Sequence, residues 1–294
     1  MNILDEIIKS KKADVKIIKE KLENIDEKGP HTLSLEVDLL TNNYNKLSRC
    51  KIEISQNEVV ICKNIFSRQG AFNEYIKKYG NFVIIGEIKR GSPSKGLFAE
   101  NLSISNTLKN YIQGGIKCIS VLTNNEYFYG SYRDLYKVRS SFSGYILNKE
   151  FIIDEIQIDI AKKMGADIIL LIASALDKNR IIDLYRYASS EGLDVIVEVH
   201  DKLELEFCLS FSPKIIGINN RDLKTFDTNI SNSLDMISGV SKSELEKTVF
   251  ISESGIGSQD DIDVLKQAGF SGVLIGESLI RNIDDISRVL GSAN

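Results

Sequence analysis

The chain has 294 residues, a length that suits one large domain or two small ones. Its formal net charge is −4, from 37 Lys and Arg against 41 Asp and Glu. That balance excludes the basic footprint of a nucleic-acid binder. Two histidines, His31 and His200, are too few for a zinc site or a Ser-His-Asp triad. The four cysteines, Cys50, Cys62, Cys118 and Cys208, show no CxxC spacing and read as reduced structural thiols. No apolar run approaches the ~18 residues of a membrane span, and the N-terminus MNILDEIIKSKK is not a signal peptide. The expectation is therefore a cytoplasmic protein with no membrane and no nucleic-acid partner.

Residues 3 to 22 predict an amphipathic helix, with Leu4, Ile7, Ile8, Val15, Ile18 and Leu22 largely on one side and lysines opposite. Gly29-Pro30 ends it. In residues 31 to 62, LSLEVDLL suits a short helix and KIEISQNEVVIC two short strands around Gln56-Asn57. Residues 69 to 79 predict a second helix, which feeds the apolar run Val83-Ile84-Ile85 through Gly80-Asn81.

From Val83 a rhythm begins. Apolar runs recur at Val83–Gly86, Cys118–Leu122, Gly144–Leu147, Asp167–Ile172, Asp194–Val199, Lys214–Ile218, Thr248–Ile251 and Gly272–Ile275. They lie roughly 20 to 35 residues apart, as strand–helix units require. The stretches between them, such as SNTLKNYIQGG, KNRIIDLYRYASSEG and SQDDIDVLKQAG, show period 3.6 and end at Gly. Strict alternation predicts a parallel sheet. Eight units favour closure into a (β/α)8 barrel over an open sheet, and GEIKRG after the first strand is not the G-x-G-x-x-G of a dinucleotide fold. The expected organisation is an α/β chain: an N-terminal extension over 1–80 that caps the barrel, and a barrel over 81–294, forming a single structural domain.

A barrel carries its chemistry at the C-terminal ends of its strands. Those ends supply Glu87 and Lys89, then Asn148-Lys149-Glu150-Phe151, Glu198 and His200, Asn219-Asn220-Arg221, Ser252-Glu253-Ser254-Gly255, and Gly276-Glu277-Ser278. Glu87 and Lys89 are two apart and face the same way on a strand. Glu87, Glu198 and Glu253 are expected to converge with Lys89 and Lys149 over the mouth. A lysine there can serve as a general acid, or as a Schiff-base amine if its pKa is lowered. Glu198, flanked by valines in VIVEVH, is expected to favour its protonated form and to suit proton transfer. The small-residue turns Ser254-Gly255-Ile256-Gly257 and Gly276-Glu277-Ser278 each precede a helix, in the two units where barrels commonly bind phosphate. The expected ligand is a phosphorylated small molecule. The Gly/Pro/Ser loop of Gly91 to Gly96 reads as a mobile lid.

These motifs resemble indole-3-glycerol phosphate synthases. The resemblance is carried by EIKRGSPSKG (Glu87 to Gly96), LTNNEYFYGSYRDL (Leu122 to Leu135), NKEFIIDEIQIDIAKKMGADIILLI (Asn148 to Ile172), LDVIVEVHDKLELE (Leu193 to Glu206), IIGINNRDLKTF (Ile215 to Phe226) and the run from Ser252 to Arg281, in order. It implies a carbon–carbon lyase of tryptophan biosynthesis. The enzyme would close the pyrrole ring of 1-(2-carboxyphenylamino)-1-deoxyribulose 5-phosphate, releasing CO2 and water, with no cofactor or metal. Lys149 would protonate the ketone oxygen, and Glu198 would transfer protons in the later loss of hydroxyl. Lys89 would hold an anionic group or act as second acid, and Glu87 would tune the lysines. Asn219 would bond a sugar hydroxyl. Arg221 would support the anionic end, Ser92 would belong to the first loop, and Phe151 would pack on the aromatic ring. Ser254, Gly255, Gly276 and Glu277 would form the phosphate cradle through backbone N–H groups, and Glu253 would be among the substrate-binding residues. Other tryptophan-pathway enzymes are the expected protein partners. Asn148 stands where the family usually has Arg, Asn124 where Asp is common, and residues 31 to 62 are longer than the usual extension. The competing readings are another phosphate-binding barrel, such as phosphoribosylanthranilate isomerase, which would want a Cys/Asp pair at strand ends, and a non-catalytic binder of phosphorylated ligands.

Overall fold

The computed structural model describes residues 3–23, 71–79, 82–222, 227–283 and 285–290. The uncertain stretch at 31–62, and with it Cys50 and Cys62, lies outside those residues. Eight strands pair in parallel into one closed barrel: β1 Val83–Ile88, β2 Cys118–Leu122, β3 Tyr145–Lys149, β4 Ile168–Ile172, β5 Asp194–Val199, β6 Ile215–Asn219, β7 Val249–Glu253 and β8 Gly272–Ile275. The order around the barrel is the order in the chain, and β8 closes on β1 through Val83 to Gly86 against Gly272 to Ile275.

The strands read as unbroken apolar runs because both faces are buried. Period-2 alternation then divides them. Val83, Ile85, Leu147, Ile168, Leu170, Ile196, Ile251 and Leu274 fill the barrel interior. Ile88, Val121, Ile146, Ile169, Leu171, Val197, Ile216, Phe250 and Val273 pack outward against the helices. Carried to the strand ends, this parity puts Glu87, Lys149, Glu198, Asn219 and Glu253 on the interior face. Three of these strands run two or more residues beyond the apolar cores that mark them in the sequence: β1, β3 and β7 end at Ile88, Lys149 and Glu253, so their polar residues are strand, not loop.

Between the strands, helices form at Ile104–Gln113, Glu155–Lys163, Lys178–Ser190, Lys202–Ser210 and Gln259–Gln267. Four of the five start behind a side-chain cap made by Ser103, Asp154, Asp177 or Asp201, and Ser258 caps the fifth. Helices that the apolar pattern did not mark form at Tyr132–Ser141, Ser231–Ile237, Lys242–Lys247 and Glu277–Arg281.

The two N-terminal helices serve opposite ends of the barrel. Helix α1, Ile3–Glu23, buries Leu4, Ile7 and Val15 and lies by the mouth, with Ile3, Leu4 and Ile7 on the cavity. Its buried Lys11 reaches Glu150, 3.3 Å away, and Lys19 reaches Asp154 at 2.6 Å. Helix α2, Ala71–Tyr79, plugs the floor: Phe72 and Ile76 join the interior cluster beside Val83, Tyr145 and Ile168. The Asp194 carboxylate, at the start of β5, accepts the amides of Phe72 and Asn73 at 2.8 and 3.4 Å. It satisfies two of the orphan donors at that helix start.

Phe72 is 1% exposed. Phe72→Ala should therefore remove about 3–5 kcal/mol of stability, read as a lower urea midpoint, while leaving the geometry of the mouth, at the other end, intact.

Candidate active site

The strand ends and the loops that follow them enclose a cavity of about 990 Å³. Its walls include Glu87, Lys89, Ser92, Lys149, Phe151, Glu198, Asn219, Arg221, Ser254, Gly255, Gly276 and Glu277. Every site residue expected from the sequence reaches this cavity except Glu253. That carboxylate is fully buried against Lys149 and is not on the cavity lining, whereas the sequence placed it among the groups touching a ligand.

Lys149 is the hub. Its ammonium bonds Glu253 Oε2 in a short contact and lies 3.2 Å from Glu198 Oε2. Burial alone would push the lysine pKa down, but Glu253, Glu198 and Glu87 outweigh it and hold the pKa far above the ordinary value. Lys149 is thus held as a cation, and the Schiff-base alternative, which needs a lowered pKa, loses its premise.

Glu198 behaves opposite to expectation. Burial among valines does push its pKa up, but Lys149, His200 and the Asn219 amide pull harder, so the carboxyl titrates well below the usual range and is ionised. The group held high is Glu253, raised to about 7 by burial and by its neighbour Glu198, against the pull of Lys149. Two carboxylates competing for one ammonium cannot both be equally satisfied, and the one with no other cation keeps the proton longer. Glu87 pairs with Lys89 at 2.5 Å; burial raises its pKa, and Lys89 and Lys149 together bring it below normal.

Small residues make room for these groups. A Cβ on Gly217, in β6, would run into Glu253 Oε1, and one on Gly276 would run into Glu87 Oε1 and Lys89 Nζ. The turn after β7 places Ser254 and Gly255 in the left-handed region, with φ of 68° and 77°. A non-glycine residue there costs about 1–2 kcal/mol, so it persists only where its surroundings hold it. Asn220 does so: its Nδ2 donates to Ser254 O and Ser252 Oγ, both at 3.0 Å, while its Oδ1 accepts the Ser233 amide. Successive amides in such a turn form an anion-binding concavity. Opposite, the Glu277 side chain accepts from Lys95 and Arg281, each at 2.7 Å; burial raises its pKa, and these two cations bring it below normal.

The first loop is a small hairpin, pairing Gly91–Ser92 with Gly96–Leu97. Arg90 ties its base to Asp134, at 2.6 and 3.2 Å, and to Tyr129 O. Its tip spans the mouth, where Lys95 meets Glu277 and Ser94 Oγ accepts from Arg221 at 3.4 Å. Phe151 faces Phe128 with ring centroids 6.0 Å apart, an aromatic wall continued by Ile3, Leu4 and Ile7.

The family model described as indole-3-glycerol phosphate synthase matches residues 37–289. The chain belongs to this family. Curated relatives named indole-3-glycerol phosphate synthase, from Bacillus cereus (strain AH187), Bacillus anthracis (strain A0248) and Bacillus thuringiensis (strain Al Hakam), are each 45% identical over 205 residues, 70% of this chain and 80% of theirs. Among solved structures, an N-acetylmannosamine-6-phosphate 2-epimerase from Clostridium perfringens matches with a TM-score of 0.52 at 11% identity, covering 71% of this chain and 91% of that one. A thiamine phosphate pyrophosphorylase from Pyrococcus furiosus matches with a TM-score of 0.50 at 10% identity, covering 71% and 92%. These two show the shared fold alone.

Two departures from the family pattern, Asn124 and Asn148, lie off the cavity. Asn124 caps the helix Asn125–Phe128 through Oδ1 to the Tyr127 amide, 2.9 Å, a task Asn and Asp perform equally. Asn148 is fully buried on the outward face of β3, where its Nδ2 donates to Thr123 Oγ1 at 2.8 Å; it points away from the cavity that Lys149 enters. Cys118 sits in the barrel interior at the start of β2 and Cys208 in a helix, neither on the cavity, so the Cys/Asp pair of the isomerase reading is not present among the described residues. The strand-end survey named His200 and Asn220 but gave neither a role, although His200 shares with Glu198 the two-residue spacing that singled out Lys89 beside Glu87. The extension was expected to cap the barrel, but no pattern marked Ile3, Leu4 and Ile7 of α1 as the residues that face the cavity.

Gly217→Ala should push the Glu253 carboxylate off Lys149. Activity should fall by about tenfold or more, corresponding to at least ~1.4 kcal/mol of lost transition-state stabilisation, measured as kcat/KM.

Proposed function

We propose that this cavity closes the pyrrole ring of 1-(2-carboxyphenylamino)-1-deoxyribulose 5-phosphate to give indole-3-glycerol phosphate, CO2 and water, a carboxy-lyase step of tryptophan biosynthesis. The observation that carries the reading is Lys149: an ammonium fixed between two buried carboxylates, facing a cavity with an aromatic wall on one side and an anion-binding turn on the other.

The chemistry follows from the charges. The ring carbon bearing the carboxylate attacks the ketone carbon, and negative charge develops on the ketone oxygen. Lys149 is held protonated and gives that oxygen its proton. Loss of CO2 returns the bonding pair to the ring and restores aromaticity. The new hydroxyl must then leave as water, with a proton leaving the adjacent methylene. Glu198, ionised and 3.2 Å from Lys149, is the group able to take that proton and to exchange one with the lysine. Lys89, paired with Glu87, holds the substrate carboxylate until it departs. Asn219 Oδ1 already accepts the Arg221 amide, 3.0 Å, so its Nδ2 is left to address a sugar hydroxyl alongside Glu198.

Arg221, the Ser254-Gly255 turn and the start of the helix Glu277–Arg281 would receive the phosphate, and Ser92 on the first loop would border it. Phe151 with Phe128 and the apolar face of α1 would hold the aromatic ring and keep water from the reacting carbons. In this reading residues 1–80 form the extension that caps the barrel of 81–294 within one domain. The setting is the cytoplasm, with other enzymes of the pathway as partners. Among the described residues no helix is long and apolar enough to cross a membrane.

Incubating the purified protein with the substrate and following indole fluorescence tests the reading; a protein that binds the substrate and forms no product is a binder only. Lys149→Ala should abolish turnover and leave substrate affinity within about tenfold, because the lysine acts on charge that develops only in the transition state. Near-normal turnover would move the acid role elsewhere. Ile7→Asp sets a carboxylate in the apolar wall and should raise KM by about tenfold or more, with a smaller change in kcat.

A further inference from the structure

Glu198 has a second partner that the reaction scheme leaves unused. Its two oxygens are divided: Oε2 faces Lys149 and Oε1 faces His200 Nε2, each at 3.2 Å. The other ring nitrogen, Nδ1, lies 3.4 Å from Glu204 Oε2. The imidazole is 10% exposed and borders the cavity. A neutral imidazole has one donor and one lone pair, so it would turn the lone pair toward one of these carboxylates. Both contacts are at ion-pair distance without hydrogen-bond geometry, and only the imidazolium is attracted to both carboxylates.

We propose that His200 is a positioning residue for the reaction: held between Glu198 and Glu204, its imidazolium orients the Glu198 carboxylate and fixes it as the proton acceptor. This rests on the ring closure proposed above. The bracket is itself secured. Glu204 occupies the first turn of the helix Lys202–Ser210, where its amide bonds Asp201 Oδ1 at 2.9 Å and its Oε2 accepts the His200 amide at 2.8 Å. From the next unit, Asn232 Nδ2 reaches His200 O at 3.4 Å.

The charges around the pair agree with the geometry. Glu198 is faced by Lys149 from β3, by Glu253 from β7, by the neutral Asn219 from β6 and by His200 from its own strand end. His200 is faced by Glu198 and Glu204. Burial pushes the imidazole pKa down, but the two carboxylates raise it to about 10, so it remains charged through neutrality. The sign of its effect on Glu198 follows. Without the imidazolium, burial is opposed by Lys149 and the Asn219 amide alone, and the Glu198 pKa rises. A proton acceptor with a raised pKa is lost at a higher pH, so the acid limb of kcat should move upward.

The chain has only two histidines, which makes the state of this one directly readable. In ¹⁵N NMR, with signals assigned by His200→Asn, the His200 ring should remain doubly protonated at pH 8, where an imidazole with a pKa of about 6.5 is neutral. A neutral His200 at pH 7 overturns the proposal. In kinetics, His200→Asn should lower kcat by about tenfold or more, leave KM within about threefold, and move the acid limb up by about one pH unit. A His200→Asn variant that loses only thermal stability or substrate affinity, with unmoved pH limbs, makes the residue merely structural. Glu204→Gln, off the cavity, is the second variant: it should lower the pH at which the His200 ring titrates and bring the alkaline fall in kcat down with it. An unchanged titration counts against the bracket. The NMR result needs no substrate, so a charged His200 in a wild-type chain that does not turn the substrate over would overturn the ring-closure reading, and the acceptor role with it, while leaving the ion pairs in place.

Discussion

Lys149 carries one positive charge into a ring of carboxylates that water barely reaches. Glu253 is fully buried, and Glu198 and Glu87 are 3% exposed. Buried acids without cations would take up protons and lose their electrostatic use. The Lys149 ammonium, with His200 and the Asn219 amide, keeps Glu198 ionised, and the carboxylates in turn keep the ammonium charged. Desolvation taxes such a cluster, so it adds little to stability and much to pre-organisation. The site is a set of charges fixed before substrate arrives, which spares reorganisation when charge develops.

The barrel is what allows that arrangement. Charges from β1, β3, β5 and β7 meet because alternate residues of each strand face one interior, and the registers bring their ends to similar heights: Asn219 pairs beside Glu253, and Gly217 beside Glu198. The crowding has a steric condition, met by Gly217 and Gly276 where a larger residue would displace Glu253, Glu87 or Lys89. The two ends of the barrel are then closed by different means. Phe72 and Ile76 make the floor apolar and dry, whereas α1 sets Ile3, Leu4 and Ile7 at the rim and leaves the mouth open to a ligand.

The parts legible in the sequence were those whose cause is local. Apolar runs of both-face-buried strands and the glycine stops of the helices between them each act within a few residues, so eight units could be counted. The strand-end survey followed from period-2 alternation, which brought Glu87, Lys89, Lys149, Glu198 and Asn219 to one cavity. Failures came where a distant partner decides. VIVEVH correctly shows that Glu198 is buried, and burial alone argues for protonation. The reversal comes from Lys149, 49 residues away, and from a histidine whose ring direction no pattern reveals. Glu253 looked equivalent to the other acids because its depth depends on the glycine in the neighbouring strand.

The sequence by itself determined the α/β class, the eight-unit closure, the family and the roster of polar strand ends, because periodicity and turn chemistry are properties of short stretches. The tertiary structure alone decided which carboxyl is ionised and which holds its proton near neutrality. It also set Glu253 under the lysine rather than on the cavity, made α1 part of the wall, and turned α2 into a floor. These depend on distances between residues far apart in the chain, and electrostatic energy in a dry interior changes steeply with such distances.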